Sequence, residues 1–214
     1  TGVDMGRLIT TMSMSDSNLV VKEKGLPAVE ALLTARSTMY STVYFHPFAR
    51  GAELMLARAA NYAISSGHFS IEDFVTFTDH KFISELNKAG SLSSKIINNF
   101  ENRRIIKRAI SITKEQVEIS GLEKSKKRDY ESSISSKLGI DSSEIYVDIP
   151  PFSVMPGLKT KILKDNGEID FARNHSRLVS SLYEAQFDHW KGSVYGPSKL
   201  KDDISLISKE VLGL

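Results

Sequence analysis

No cysteine occurs among the 214 residues, so disulfides, zinc ribbons and thiol chemistry are excluded, and any metal site must be built from histidines and carboxylates. That absence suits a reducing compartment, and a cytoplasmic location is expected. No apolar run approaches the ~20 residues of a membrane span, and nothing near the first residues has the form of a signal peptide, so no membrane partner is expected. An excess of charge of one sign is also lacking: 28 Lys and Arg face 26 Asp and Glu, a net +2. So balanced a chain does not announce a nucleic-acid protein by composition. The phosphate loops GxGxxG and GxxxxGK[ST] are missing, as are the GxSxG elbow and the HExxH zinc helix. The five histidines (His46, His68, His80, His175, His189) are scattered, and no spacing sets a cluster of ligands on one helix.

What remains is an ordinary globular composition, with 41% hydrophobic and 25% charged residues. The length allows one large domain or a domain with an appendage. A short helix is expected over residues 3–12 and an extended segment over 18–26, closed by Gly25 and Pro27. From Pro27 to about residue 65 apolar residues (Val29, Leu33, Val43, Met55 among them) recur at helical spacing, and Pro47 must kink or break that element. Ser-Ile-Glu-Asp at 70–73 is a capping-box pattern. Helices are expected over 78–90 and, as one or two pieces, over 91–108. From about residue 112 β-type patterns appear. EIYVDIPP (144–151) reads as a strand, and 159–172 as a hairpin whose Asn166-Gly167 suits a type I′ turn. Helices over 175–190 and at the end of the chain complete a mainly α protein, with a helical region over 1–112 and a small α+β region over 113–214.

One stretch, LLTARSTMYSTVYFHPF (32–48), places Arg36, Tyr40 and Tyr44 at four-residue intervals, on one ridge of a helix. An arginine fork can grip a phosphate bidentately, and a ring one turn away can pack on a sugar or base. The same spacing also fits a surface ion pair beside amphipathic core rings. Basic residues cluster at ENRRIIKR (101–108) and EKSKKRDY (123–130). Each fits a solvated face, and the first also fits a nucleotide or nucleic-acid contact through Arg103, Arg104, Lys107 and Arg108.

The string ALLTARSTMYSTVYFHPFARGAELMLARA (31–59) resembles the long helix of the HD-domain phosphohydrolases, particularly their dNTP triphosphohydrolase-like branch. DMGRLI (4–9), LVVKEKGLPAVE (19–30), FTDHKFISEL (77–86), FENRRIIKRA (100–109) and EIYVDIP (144–150) follow in the family's order. The likeness is close from residue 4 to about 110 and weaker to about 196. It implies the helical C-terminal half of an HD-type domain followed by a small α+β unit, in a protein that hydrolyses (deoxy)nucleoside triphosphates with a divalent metal ion. In that family a His, a His-Asp pair and a later Asp hold the metal. No His-Asp pair occurs here, so the resemblance implies that no catalytic residue and no metal ligand lies in this chain, and that the upstream half of the same protein binds the ion. On the motif match Arg36 grips phosphate, Tyr44 packs on the sugar and Tyr40 faces the substrate. Tyr44 is also expected to be a large buried ring. Arg7, Lys22, Lys24 and His46 resemble residues that hold an activating nucleotide at a subunit interface in regulated members, although Pro47 replaces a basic residue used there. The family usually has more residues between Val3 and Asp4, so a junction is expected at that point. The partners implied are a nucleotide substrate, the upstream half and further copies of the chain, with the α+β region as an assembly surface.

Overall fold

The computed structural model describes residues 2–151, 155 and 157–214. Asp4 starts helix α1 (Met5–Thr11) by accepting the Arg7 N–H at 2.8 Å. Strand β1 (Met12–Ser15) then pairs antiparallel with β2 (Asn18–Lys22). Asp16 and Ser17 join them with φ of 47° and 60°, the two positive values a type I′ turn needs. Neither residue is a glycine, and for that reason the hairpin is hard to see in the sequence.

Helix α2 (Leu26–Met39) passes into a π-helical turn over Tyr40–Tyr44, in which the Phe45 N–H donates to the Tyr40 carbonyl at 2.9 Å. The element expected to bend or break at Pro47 breaks. His46 is extended (φ −63°, ψ 130°), as a residue before proline prefers, and α3 (Pro47–Ser65) restarts with the proline where no N–H is needed. Ser70 and Asp73 form both bonds of the capping box that opens α4 (Ile71–Val75). Thr78 caps α5 (Asp79–Lys88), and Gly90, at φ 114°, leads into α6 (Ser91–Glu101). The helix expected to run on to residue 108 stops at Glu101. The β-branched run that follows becomes strand β3 (Lys107–Ile112).

A Thr113–Gln116 capping box opens α7 (Lys114–Ser120), and α8 (Lys127–Leu138) follows; left-handed Gly121 and Gly139 end the two helices. Strand β4 (Tyr146–Asp148) lies where EIYVDIPP placed it. Strands β5 (Lys161–Leu163) and β6 (Ile169–Phe171) form the expected hairpin, but not with a type I′ turn. Only Gly167 (φ 88°) is left-handed. Its N–H donates to the Lys164 carbonyl at 3.0 Å, and the Lys164 N–H donates to Glu168, giving a three-residue loop. Helices α9 (Ala172–His175) and α10 (Arg177–His189), strand β7 (Gly192–Gly196) and helix α11 (Lys201–Leu212) complete a mainly α chain.

Two compact units result, each made of two chain segments: Thr1–Phe45 with Pro151–Lys191, and His46–Pro150 with Gly192–Leu214. The change of character near residue 112 therefore falls inside the second unit and does not separate the two. The reason is strand pairing between distant segments. In the first unit β2 pairs in parallel with β5 (Val21 opposite Ile162), giving the order β1-β2-β5-β6. Its core gathers Val21, Val29, Leu33, Leu158, Ile162 and Val179. In the second, β7 inserts between β3 and β4, and α3 packs on α6 over Met55, Ala59, Leu86, Ile97 and Tyr195.

Candidate functional site

In the first unit the ridge forms as a ladder of side chains. The Arg36 guanidinium carbon lies 5.7 Å from the Tyr40 ring centre, and the Tyr40 and Tyr44 rings are 5.1 Å apart, tilted by 51°. The π turn thus keeps residues four apart in contact. Burial divides them. Tyr40 packs on the core of its unit, whereas Arg36 is exposed and Tyr44 is 51% exposed. The expectation of a large buried ring at Tyr44 is corrected: Tyr44 ends the π turn, a full turn beyond Tyr40, which opens it beside α2 and is the ring that packs on the core. Met39, Val43 and Phe45 are also exposed, so a cation, the Tyr44 ring and apolar surface lie uncovered by their own unit, beside the half-buried Tyr40.

Three of the four residues assigned to an activating nucleotide lie in this unit. Arg7 forks onto the Lys24 carbonyl, with Nε at 3.1 Å and Nη2 at 2.8 Å, and Lys22 is exposed two residues before Lys24. His46 belongs to the second unit, where its Nδ1 accepts the Phe48 N–H at 3.2 Å and starts α3.

The second unit holds charged residues that the sequence reading passed over. Arg50 grips Asp148 with two bonds, Nε to Oδ2 at 2.6 Å and Nη2 to Oδ1 at 2.9 Å, and reaches Glu53 at 2.7 Å. These bonds raise the already high Arg50 pKa. Two turns on, buried Arg58 bonds Glu131 at 2.6 Å and donates to the carbonyls of Ser143 and Ile145, with its carbon 3.6 Å from the Tyr146 ring centre. Burial lowers the Arg58 pKa and Glu131 opposes that shift. A legible signal existed: Asp148 interrupts an apolar strand and is only 2% exposed, which demands a partner.

Of the four basic residues weighed as a nucleotide or nucleic-acid contact, Lys107 and Arg108 lie on β3 and not on a helix. Arg103 sits at φ 56°, unusual for a residue other than glycine. Arg103, Arg104 and Lys107 line a pocket of about 480 Å³ together with Lys95 and Lys199, over a floor that includes Met55, Ile96 and Ile105. Its one carboxylate, Glu144, is bonded to Lys95 at 2.9 Å. Among the described residues no three His, Asp or Glu side chains gather where they could hold a metal ion, so the donor set of the implied ion is not assembled by them.

A family model described as HD associated region matches residues 3–214. The chain belongs to this family. The HD associated region is 27% identical over 228 residues to the uncharacterized protein MJ1154 of Methanocaldococcus jannaschii, covering 98% of this chain and 49% of that one. It is 26% identical over 212 residues to the uncharacterized protein YwfO of Bacillus subtilis, covering 84% and 47%. It thus spans about half the length of these curated relatives. Two crystal structures share its fold: a hypothetical protein from Aquifex aeolicus (TM-score 0.65, 22% identity, 95% of this chain and 51% of that chain) and a phosphohydrolase from Bacteroides thetaiotaomicron (TM-score 0.61, 20% identity, 92% and 56%). The chain is related to the HD-domain proteins.

Proposed function

We propose that this chain is the C-terminal part of a metal-dependent phosphohydrolase acting on (deoxy)nucleoside triphosphates, and that the Arg36–Tyr40–Tyr44 ladder is its contribution to the substrate pocket. The observation that carries the reading is the ladder itself: an exposed guanidinium beside the Tyr40 ring, which in turn packs against Tyr44, at the end of α2. A guanidinium presents five donors in a plane that matches phosphate oxygens, and rings beside it suit a sugar or base. The fold shared with a protein named phosphohydrolase supports the reading. A divalent ion held outside this chain would supply the activated water. The chain's own residues bind and orient: Arg36 takes phosphate charge, Tyr44 packs on the sugar, and Tyr40, anchored in the core, fixes the spacing between them. Arg7, Lys22, Lys24 and His46 would take part in holding an activating nucleotide, and association of copies of the chain belongs to the same reading. The test uses protein that includes the upstream half, incubated with divalent metal ions and each dNTP and NTP. Release of phosphate products supports the proposal, and an intact nucleotide pool under every metal refutes it.

A second reading, a nucleotide- or nucleic-acid-binding module without catalysis, is favoured by the basic pocket of Arg103, Arg104 and Lys107. Binding spread over phosphate contacts weakens steeply with salt. A salt-insensitive or absent interaction removes this reading.

A further inference from the structure

A second basic feature, the EKSKKRDY run, has no part in the ladder. Its residues Lys124, Lys127 and Arg128 line a separate pocket of about 260 Å³ in the second unit, walled by α3, the start of α8 and β4. The two carboxylates that act on Lys127 each hold an arginine. Glu131 accepts from Arg58 at 2.6 Å and from the Val147 N–H at 3.0 Å, and both oxygens of Asp148 are taken by Arg50. Among the described residues Glu123 pairs with Lys126 and not with the three pocket cations. Each buried carboxylate is thus paired with one arginine, and among the described residues Lys124, Lys127 and Arg128 have no direct carboxylate partner, so four cations, Arg58 included, line one cavity with Glu131 as its one carboxylate. Asn61 on α3 and Ser125 add polar groups to its lining. The volume lies below the ~300–1,000 Å³ typical of pockets for drug-sized ligands. It suits a compact, multiply charged ion.

We propose that the pocket between α3, α8 and β4 is a binding site for a compact phosphate-type oxyanion, held by Lys124, Lys127 and Arg128. The site is independent of the ladder and of hydrolysis. Lys127 is its reporter. Burial lowers the Lys127 pKa, with Asp148 and Glu131 opposing and Arg50 and Lys124 adding to the shift. A bound dianion restores the missing charge and moves the titration of Lys127 back up.

The experiment uses the chain as it stands, with its lysines reductively ¹³C-methylated and followed by NMR through titrations with orthophosphate, pyrophosphate, sulfate and ATP, alongside calorimetry. Orthophosphate or pyrophosphate should bind and raise the Lys127 titration midpoint, and Lys127→Met should weaken that binding at least tenfold. Arg128→Gln, at an exposed position, serves as a second variant and should also weaken it at least tenfold with unchanged circular dichroism. Arg104→Ala, in the other basic pocket, should leave it unchanged. No binding at millimolar anion overturns the proposal, as does equal affinity in wild type and both Lys127→Met and Arg128→Gln. Binding of ATP with neither orthophosphate nor pyrophosphate also overturns it, because the ligand would then not be compact.

Discussion

Replacing Arg58 with methionine probes the electrostatic centre of the second unit. Arg58 is 8% exposed and Glu131 4%, and the guanidinium serves Glu131, the Ser143 and Ile145 carbonyls and the Tyr146 ring at once. Removing one partner of a buried ion pair leaves the other charge uncompensated, which costs about 3–5 kcal/mol. Methionine keeps much of the apolar stem, so little of that loss is cavity formation. Arg58→Met is expected to lower stability by about 3–5 kcal/mol in urea unfolding and to speed hydrogen exchange at the Val147 N–H, which is bonded to Glu131 at 3.0 Å. Because the damage comes from an orphaned carboxylate, Arg58→Met with Glu131→Leu should lose less than the sum of the two single variants. A loss below about 1 kcal/mol, or additive effects in the double variant, would refute the argument that the pair is a desolvated unit.

Gly25→Ala should destabilise the first unit by about 1–3 kcal/mol in thermal unfolding, because a Cβ there meets Thr11 Oγ1 and comes within 2.6 Å of Val21 Cγ1; an unchanged midpoint contradicts the packing. Tyr44→Ala should cost under about 1 kcal/mol and Tyr40→Ala roughly 2 kcal/mol, since only Tyr40 packs on the core; the reverse order in urea midpoints contradicts the burial found. Ser70→Ala should cost about 1 kcal/mol as a lost cap. Bonds from the Ser70 backbone and hydroxyl hold the Asp73 carboxyl below its usual range, so its contribution is present above about pH 4 and disappears as pH falls through the lower folded value. The thermal midpoint of Ser70→Ala should therefore fall less on acidification than that of the parent chain, and parallel pH profiles contradict this.

Local signals carried most of the helices. The Ser70–Asp73 box, the Thr78 cap, Gly90 and the break at Pro47 are each written in a few neighbouring residues, and each element lies where those residues place it. Pairing between distant segments was not legible. Nothing local says that Val21 lies beside Ile162, or that residues 192–196 enter between β3 and β4, and the division into interleaved units follows from those contacts. The two hairpins show the limit of turn chemistry: the type I′ turn formed at Asp16-Ser17, where no glycine marks it, and Asn166-Gly167 took a three-residue loop. For the site, the spacing of Arg36, Tyr40 and Tyr44 did give a contiguous ladder. Which ring packs on the core is not encoded by that spacing, since both rings lie in the one π turn and only Tyr40 meets the core. The Arg50–Asp148 and Arg58–Glu131 pairs join residues 98 and 73 positions apart, and only the odd placement of Asp148 in an apolar strand pointed toward them.

The central claim is that Arg36 grips substrate phosphate while contributing little to the fold. The direct measurement compares steady-state hydrolysis of nucleoside triphosphates by protein containing the upstream half, with and without Arg36→Ala, together with the thermal midpoint of each. Loss of a charge-assisted phosphate contact is worth about 1.5–3 kcal/mol, so kcat/KM should fall by roughly 10- to 150-fold with the midpoint unchanged. Equal kcat/KM in the two proteins, or a fall that merely follows lost stability, would contradict the account.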